Sequence, residues 1–594
     1  MPRTAHTGHD SGRDPLRAGA RRRRVALGAT ALRGGRTWLT RRPTPYVVVG
    51  GLFWLVMTLA YWRVPLCCDA GQHAAVVERL RWDLLHPAHP TADLPGAGSP
   101  YYSPYAVTQG VLARLTGLSG WSLVKLAGPV NLLVLLTGIG RLVRVLTPRP
   151  WAPVLALLFM TLLWGTERIL WSGYLGLMSM TTNLGYPSAC ATGLTFWAWA
   201  WTAARARGGG FSRGVRYVGP RALLMDLRGR RSGVRCVLSA CRAKALVAEP
   251  LGLLSGAARV RAGRRDAAEI HQKGPSGLGS LWAYTGLGTL YGLILLVHPI
   301  TAVASMAGAV AIVAAWQRGW RGPLVGRWAL TGAIALAVAV SWPYYDILSL
   351  AGNTGVDGMH KPLYENVAGH LWLALFGLPA LWARGRRSPR DPLVLMFAAE
   401  CLVVAYGWVS GHYTYGRVLG LAAVPAQFAL AVELAAPRPW GWARHVLGGA
   451  AVAGACVGFL TVQAGAVVPS RLDPVGFDPP PRWPSYAWVA RHVRAGDVLI
   501  TDGYFAERAV AGYGVNLAVP TWPDPALDER ERARRYADVR AYLDPASSRA
   551  KRAVVARRYG VRWVLLARWQ RVPGEAVVVG WSAETGEVLA RIAP

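Results

Sequence analysis

Residues 45–62 read PYVVVGGLFWLVMTLAYW, and residues 63–73 continue as RVPLCCDAGQH. The first stretch carries no charged residue and is long enough to cross the hydrocarbon core of a bilayer, which needs about 20 apolar residues. The second stretch returns to polar sequence and places Asp69 a few residues beyond the end of the span. The sequence therefore predicts a transmembrane helix that carries a carboxylate at the membrane surface.

Apolar stretches of similar length recur along the chain as far as residue 468. With 53% hydrophobic residues and a mean hydropathy of +0.25, the chain is too apolar for an ordinary soluble protein. We predict an all-α polytopic membrane protein with about eleven transmembrane helices. The spans lie near 45–62, 121–140, 151–166, 189–204, 281–297, 300–316, 328–343, 368–383, 392–409, 416–435 and 445–466.

The basic residues indicate how the chain is oriented. Residues 1–45 carry eleven arginines and two acids, and segment 204–276 carries sixteen Lys or Arg and four acids. Short turns between spans also collect arginines, as the positive-inside bias expects. We predict a basic cytoplasmic tail at 1–44, an Arg-rich cytoplasmic loop at 204–276 and an extracytoplasmic C-terminus. A formal charge of +35 is compatible with nucleic-acid binding, but its distribution indicates a multi-pass protein of the plasma membrane, in contact with the bilayer, and no nucleic-acid partner.

Two polar regions are predicted to lie outside the membrane on the outer face. Residues 63–120 form a first outer loop, in which 72–85 has apolar residues at helical spacing and suits a helix lying on the membrane surface. Residues 469–594 hold fourteen of the chain's 31 acids and no spanning run. Helical stretches there alternate with short apolar runs such as 498–502, which predicts a small extracytoplasmic α/β domain after a transmembrane domain at 45–468.

Asp69 is the first candidate for chemistry. An acid at the membrane surface is partly desolvated, and its pKa can rise toward a value useful for a general base. An aspartate in this position is also a common cap for a helix that starts near Gly71. Position alone leaves both roles open.

The residues around Asp69 resemble the first outer loop of the GT-C superfamily of membrane glycosyltransferases. The resemblance begins with LCCDAGQH at 66–73, continues through the amphipathic stretch and reaches SPYYSPY at 99–105. Later segments that look alike are YGR at 415–417, AGDVLITD at 495–502 and YGV at 559–561. Ala70 departs from the commonest form, in which a second acid often follows the first, and this departure weakens paired-acid metal binding.

The resemblance implies inverting transfer of a sugar from a polyprenyl-phosphate donor, as in mannosyl- or arabinofuranosyltransferases. The acceptor hydroxyl would belong to a cell-envelope glycan, glycolipid or protein, and Asp69 would act as the general base. Arg417 would bind the phosphate leaving group, with Lys361 and Arg168 as weaker candidates. Arg417 is equally well read as an interface arginine that snorkels. A divalent metal, Mg or Mn, is a further expectation without an assigned ligand set.

Five more residues are candidates for substrate binding. His73 lies one helical turn after the acid and could orient it, bind a metal with it or contact sugar. His298 occupies a tight turn between two apolar helices and needs a partner if it is buried; His412 is a similar candidate. Asp346 follows Tyr345, and an acid beside aromatic rings suits sugar stacking and hydroxyl binding. An aromatic belt at the membrane interface is the alternative for this pair.

Two other classes of function stay open at this stage. A transporter or flippase would explain Glu400, an acid in the middle of a span. It would also predict paired repeats and several polar residues at mid-depth, whereas the sequence has one such acid and no evident repeat. A catalytically inactive GT-C-like scaffold is compatible with Ala70.

Overall fold

The computed structural model describes residues 43–94, 98–207, 277–319, 321–352, 354–438, 441–524 and 527–593. Most of the predicted tail 1–44 and of the predicted loop 204–276 therefore lies outside the described residues. The long helices are Pro45–Arg63, Gly120–Leu146, Ala152–Leu162, Pro187–Ala206, Gly277–Val297, Pro299–Trp316, Gly322–Val340, Leu378–Arg387, Pro392–Ser410, Val424–Leu434 and Trp442–Gly458. Further helices before the tail are Ala70–Trp82, Pro104–Thr116, Leu177–Asn183, Asp357–His360, Val367–Leu371, Leu419–Ala422 and Ala464–Val467.

Proline marks the start of many of these helices. Pro45, Pro104, Pro187, Pro299 and Pro392 each occupy the first helical position. The backbone N–H at this position has no partner inside the helix, so a proline loses nothing there, and its fixed φ already suits the first turn. The start of each of these helices is therefore encoded locally.

Seven helices in the described ranges are long and apolar enough to cross a membrane, judged by length and composition. An eighth is counted if Asp357–Leu363 and Val367–Arg387, bent by 66° to each other, form one broken span. Ala152–Leu162 and Leu281–Val297 are apolar but shorter. The mainly helical, multi-pass class is therefore supported, while the count of about eleven spans stays a prediction.

Several turns that the sequence assigns to the cytoplasmic side meet one another. Arg207 donates to the carbonyl of Val145 at 2.5 Å, and its guanidinium stacks 3.8 Å from the ring of Trp316. In the second half of the bundle, Arg387 pairs with Glu433 at 2.6 Å. These turns therefore share ends of the bundle, as the distribution of arginines predicts. Which membrane face they occupy stays a prediction.

Residues 469–593, which we call the tail domain, form a mixed sheet with helices. Its strands are β1 Val498–Ile500, β2 Asn516–Leu517, β3 Val561–Leu566, β4 Ala576–Trp581 and β5 Val588–Ile592, and its helices are Ala506–Ala509, Glu529–Leu543 and Arg549–Tyr559. The strand order is β2-β1-β3-β5-β4. The pairings β2–β1 and β1–β3 are parallel, whereas β3–β5 and β5–β4 are antiparallel. β1 is buried throughout, as expected for a parallel strand covered on both faces. The small C-terminal α/β unit agrees with the sequence prediction.

The helix Ala70–Trp82, which we call the loop helix, lies against the tail domain. Ten of its thirteen residues are buried. A Cβ atom at Gly71 would collide with the backbone of Arg508 and Ala509. Glycine at this position therefore lets the helix Ala506–Ala509 pack directly onto the start of the loop helix.

Arg79 secures the other end of the same contact. Its guanidinium donates to the carbonyl oxygens of Gly514 and Val515, at 3.2 and 3.3 Å, and to the side chain of Asn516. A buried guanidinium left without such acceptors would cost several kcal/mol, on the order of 3–5. Burial beneath the tail domain thus explains much of the amphipathic pattern at 72–85, which the sequence had assigned to the membrane surface.

Candidate active site

Asp69 stands at the N-terminus of the loop helix without capping it. Its backbone carbonyl accepts the N–H of His73 at 3.0 Å, but its side chain makes no capping hydrogen bond. The preceding residue, Cys68, has a φ of 57°. A non-glycine residue in this left-handed region costs on the order of 1–3 kcal/mol, which is typical of functional sites. The carboxylate is therefore available for a role other than the cap.

Two arginines from distant parts of the chain act on the Asp69 carboxyl group. Burial raises its pKa above the ordinary value, while the positive charges of Arg417 and Arg508 oppose that shift. The residue is nevertheless only partly buried, so it is not fully enclosed by protein. A reachable carboxylate whose pKa is moved toward neutrality is a better general base than an ordinary surface aspartate.

Arg417 lies at the centre of this region, in the turn Tyr413–Val418. One terminal nitrogen, Nη2, donates to both the carbonyl and the hydroxyl of Ser172. The buried Nε has no hydrogen-bond partner among the described residues. The segment is held closely, since a Cβ at Gly420 would collide with the carbonyl of Gly173. A fixed guanidinium with an unpaired N–H is well suited to bind an anion.

Arg417 and His298 line one small pocket between the helices. The other lining residues are Ser172, Gly173, Thr192, Ile300, Thr301, Ala304, Val418 and Leu421. His298 caps the helix Pro299–Trp316, and its Nδ1 accepts the backbone N–H of Thr301 at 3.2 Å. Burial, followed by the charge of Arg417, lowers the pKa of His298 well below its ordinary value. The neutral ring therefore carries its proton on Nε2 and can act as a hydrogen-bond donor.

His73 belongs to an aromatic wall on the loop-helix side of the site. Its ring centroid lies 4.8 Å from that of Tyr186 and 6.3 Å from that of Tyr101. The hydroxyl of Tyr186 donates to the carbonyl of Cys67 at 2.5 Å, which ties the wall to the turn before the acid. Burial and then a nearby guanidinium lower the pKa of His73 to about 4. The wall is therefore uncharged near neutral pH.

Sequence reasoning missed two residues that shape the turn before Arg417. Asp357 accepts the backbone N–H and the hydroxyl of Thr414 at 2.9 and 2.5 Å. Its other oxygen lies 3.2 Å from Nδ1 of His412, which is thereby a support for the turn. His360 contacts the same threonine hydroxyl at 3.1 Å. These partners are 54 to 57 residues apart, so no local pattern marks them.

Four sequence candidates have partners or exposure that set them apart from the group around Arg417. Arg168 is half-exposed and pairs with Asp478 at 2.7 Å. Lys361 is exposed. The hydroxyl of Tyr345 donates to a backbone carbonyl at 2.7 Å. The exposed carboxylate of Asp346 accepts a backbone N–H at 2.8 Å and so caps the turn that follows it. The structure thus brings Asp69, His73, His298 and Arg417 together, and it places these four elsewhere.

The donor set around Asp69 does not suit a divalent metal. Over the ranges that the structure describes, no group of three or more His, Cys, Asp or Glu is placed to hold one. The positive charges of Arg417 and Arg508 already act on the acid, and they disfavour binding of a divalent cation beside it. We assign no catalytic step to Mg or Mn, and a metal requirement stays a prediction.

Comparison with known proteins identifies a fold but no sequence relative. No protein-family model matches the chain, and neither does any curated protein. The cryo-EM structure of the arabinofuranosyltransferase AftD from mycobacteria is similar, with a TM-score of 0.52 and 13% sequence identity. The likeness covers 93% of this chain but 41% of the AftD chain, so this protein spans less than half of its length.

A second similar structure is the oligosaccharyltransferase of Archaeoglobus fulgidus, crystallised with zinc and sulfate. Its TM-score is 0.42 at 12% identity, over 87% of this chain and 68% of that one. At such identities a structural likeness establishes fold alone. The GT-C type of fold that the first outer loop predicted is therefore confirmed, on the AftD comparison.

Proposed function

We propose that this chain is a membrane glycosyltransferase that uses a polyprenyl-phosphate sugar as donor. It moves the sugar to an acceptor hydroxyl on the outer face of the membrane, with inversion at the anomeric carbon. One observation carries the proposal: an uncapped, partly buried Asp69 lies within the electrostatic influence of Arg417, whose Nε lacks a partner within the described residues. The GT-C type of fold supports the same class of activity.

Asp69 is the general base in this scheme. It takes the proton of the acceptor hydroxyl while that oxygen attacks the anomeric carbon from the side opposite the phosphate. The new C–O bond forms as the bond between the anomeric carbon and the phosphate oxygen breaks, and the polyprenyl phosphate leaves with the bonding electron pair. General base catalysis of this kind typically contributes about 10²–10⁴-fold to the rate.

Arg417 and His298 hold the leaving group. Negative charge builds on the phosphate as the bond breaks, and fixed donors in a water-poor site stabilise it strongly. Arg417 supplies a charged N–H, and neutral His298 supplies Nε2–H from the same pocket. Because His298 is held neutral by burial and by Arg417, it donates a hydrogen bond without adding a second positive charge.

The position of the pocket fits a lipid-linked donor. It lies between residues of Pro299–Trp316 and Tyr413–Leu434, two helices apolar enough to cross a membrane. A polyprenyl tail can stay in the bilayer beside these helices while the phosphate reaches Arg417. The acceptor is a glycan, glycolipid or protein of the cell envelope, reached from the aqueous side.

Transport of a lipid-linked or small substrate is the second candidate. Both carboxylate oxygens of Glu400 are buried, without a hydrogen-bond partner in the described ranges. A proton- or ion-coupled transporter would use such a group. Glu400 does not line the pocket of Arg417 and His298, however, and no described contact links it to either residue.

Transfer of labelled sugar tests the proposal directly. Membranes containing the full chain are supplied with radiolabelled mannosyl- and arabinofuranosyl-phosphoryl polyprenols, and with nucleotide sugars as water-soluble controls. We expect transfer from a polyprenyl-phosphate donor, and loss of that transfer in Asp69→Asn at equal expression.

Three outcomes would count against the proposed function. Equal turnover by wild type and Asp69→Asn would exclude Asp69 as the general base. Transfer from nucleotide sugars alone removes the lipid-linked donor. Movement of intact donor across the membrane without transfer, lost in Glu400→Gln, favours the transporter.

A further inference from the structure

An exposed aromatic group lies on the tail domain, at the start of the helix Ala506–Ala509. Trp483, Tyr504 and Phe505, which we call the aromatic platform, have ring centroids 5.0 to 5.9 Å apart. Tyr504 is 60% exposed and Phe505 is 39% exposed. Rings that pack on one another yet stay open to solvent form a surface patch of the kind that marks a binding site.

Arg508 gives the platform a charged edge. Its guanidinium lies 4.0 Å from the ring centre of Tyr504 and 4.9 Å from that of Trp522. It also donates to the carbonyl of Tyr504 at 2.8 Å and to the carboxylate of Glu507 at 2.5 Å. These contacts hold Tyr504 in a defined position, because the ring and the backbone of the same residue are both engaged.

The platform is joined to the proposed site by close backbone contact. The backbone of Arg508 packs on Gly71, where even a Cβ would collide with it. Gly71 is two residues after Asp69, and Tyr504 is one helical turn before Arg508. The charge of Arg508 is felt by the Asp69 carboxyl group, which it shifts toward a lower pKa. The distance between platform and acid is therefore set by rigid elements on both sides.

The chemistry of the platform suits a saccharide. Sugar rings present apolar C–H faces that stack on aromatic rings, and hydroxyls that accept from guanidinium groups or donate to carboxylates. A patch of pure aliphatic side chains would not offer this combination. The tail domain thus presents two exposed aromatic rings beside a guanidinium within one short segment, 504–508.

We propose that the aromatic platform binds the acceptor saccharide and presents its hydroxyl to Asp69. The identity of the ligand as acceptor rests on the proposed function. The proposal assigns the donor to the membrane pocket at Arg417 and the acceptor to the tail domain.

Binding of glycosides to the full chain in nanodiscs tests the platform without any turnover. The probes are octyl mannosides, octyl arabinofuranosides and octyl galactofuranosides, with dissociation constants measured by calorimetry. The variants are Tyr504→Ala with Phe505→Ala, and Trp483→Ala. Trp569→Ala is the matched control, because Trp569 is 84% exposed on the same domain but outside the platform. We expect at least one glycoside to bind wild type and control alike, and about tenfold more weakly to the platform variants.

The outcomes separate this proposal from the proposed function. Platform variants that bind like wild type, or a wild type that binds no glycoside of the panel, overturn the platform. Asp69→Asn should abolish transfer and keep glycoside binding, so loss of activity alone says nothing against the platform. In transfer assays, the platform variants should raise the acceptor KM and leave the donor KM unchanged. Equal melting temperatures of platform variants and control exclude a folding defect.

Discussion

Asp69 and Asp346 look alike in the sequence but differ in the structure. Each acid lies beyond an apolar stretch in a predicted outer loop, with aromatic residues nearby. Asp346 is exposed, and its carboxylate accepts a backbone N–H two residues on. Asp69 makes no such cap, is partly buried, and the charges of two arginines act on its carboxyl group. An acid becomes a candidate for chemistry when its local hydrogen bonds are left unmade and distant charges are brought to it.

Arg417 and Arg168 repeat the contrast. Arg168 is half-exposed and already neutralised by Asp478 at 2.7 Å. Arg417 is anchored through Ser172, while its Nε stays unpaired among the described residues. The two comparisons define matched variants, in which the same chemical change is made inside and outside the cluster.

The largest expected effect separates the two acids. Asp69→Asn should lower kcat/KM for sugar transfer by about 10²–10⁴-fold, the usual worth of a general base. Asp346→Asn should stay within about twofold of wild type, since its carboxylate caps an exposed turn. Steady-state transfer with the polyprenyl-phosphate donor measures both. A comparable loss in the two variants would erase the distinction drawn here between a capping acid and a base.

The effects of substituting Arg417 and Arg168 on sugar transfer should differ somewhat less than the effects of substituting the two aspartates. Arg417→Gln removes a charged donor to the leaving phosphate, and we expect kcat to fall by about 10²–10³-fold. Arg168→Gln breaks a half-exposed ion pair, which is worth only about 0–1 kcal/mol, and should leave kcat unchanged. Single-turnover rates with saturating donor report on this step. A slow Arg168 variant beside a normal Arg417 variant would move the phosphate site to the other arginine.

The pH dependence sharpens the assignment of the base. Transfer needs ionised Asp69, whose pKa burial raises, so kcat/KM should fall as pH falls through a value above the ordinary aspartate pKa of about 3.9. His73, with a pKa lowered to about 4, and His298 should add no limb near pH 6.5. A profile recorded with wild type and His73→Gln checks this. If the acidic limb of the profile disappears in His73→Gln, that limb reports the titration of His73 and not of Asp69.

Stability should show the smallest and most informative difference. Because the folded state raises the pKa of Asp69, it binds this proton more tightly than the unfolded state does. The resulting stabilisation is present below the ordinary pKa and is lost as pH rises through the raised one. At neutral pH, Asp69→Asn should therefore melt no lower than wild type, and higher if burial dominates. Asp346→Ala should lose a cap worth about 1 kcal/mol.

Thermal melts in detergent at neutral pH compare these variants. A lower melting temperature for Asp69→Asn would show that the ionised acid stabilises the fold through its arginines. That result would support a structural ion pair and weaken the case for a base.

The sequence predicts the elements better than it predicts the contacts between them. Long apolar runs, initial prolines and arginine-rich turns are local signals, and they recover the helices and their shared ends. They also bring Asp69, His298 and Arg417 to one region, since the predicted spans end on the same side there. The pairing of Asp357 with Thr414 links residues 57 apart, and that of Gly71 with Arg508 is longer still. Such contacts follow from packing, which no local pattern records.

Asp346 and Tyr345 show the opposite limit. Their residue types suggest a sugar site, yet a carboxylate can cap its own turn and a phenol can bind the nearest carbonyl. A sequence reveals which groups can do chemistry, but it does not reveal which of them are already engaged by the backbone.

Glycine at position 71 makes the membrane helices and the tail domain depend on each other. The tail backbone at residues 508 and 509 packs against that glycine, two residues after the acid, and is encoded more than 400 residues later. A membrane core expressed alone would leave the first turn of the loop helix uncovered at that glycine and would remove the charge of Arg508 from the acid. Catalysis and assembly of the two domains should therefore be gained, and lost, together.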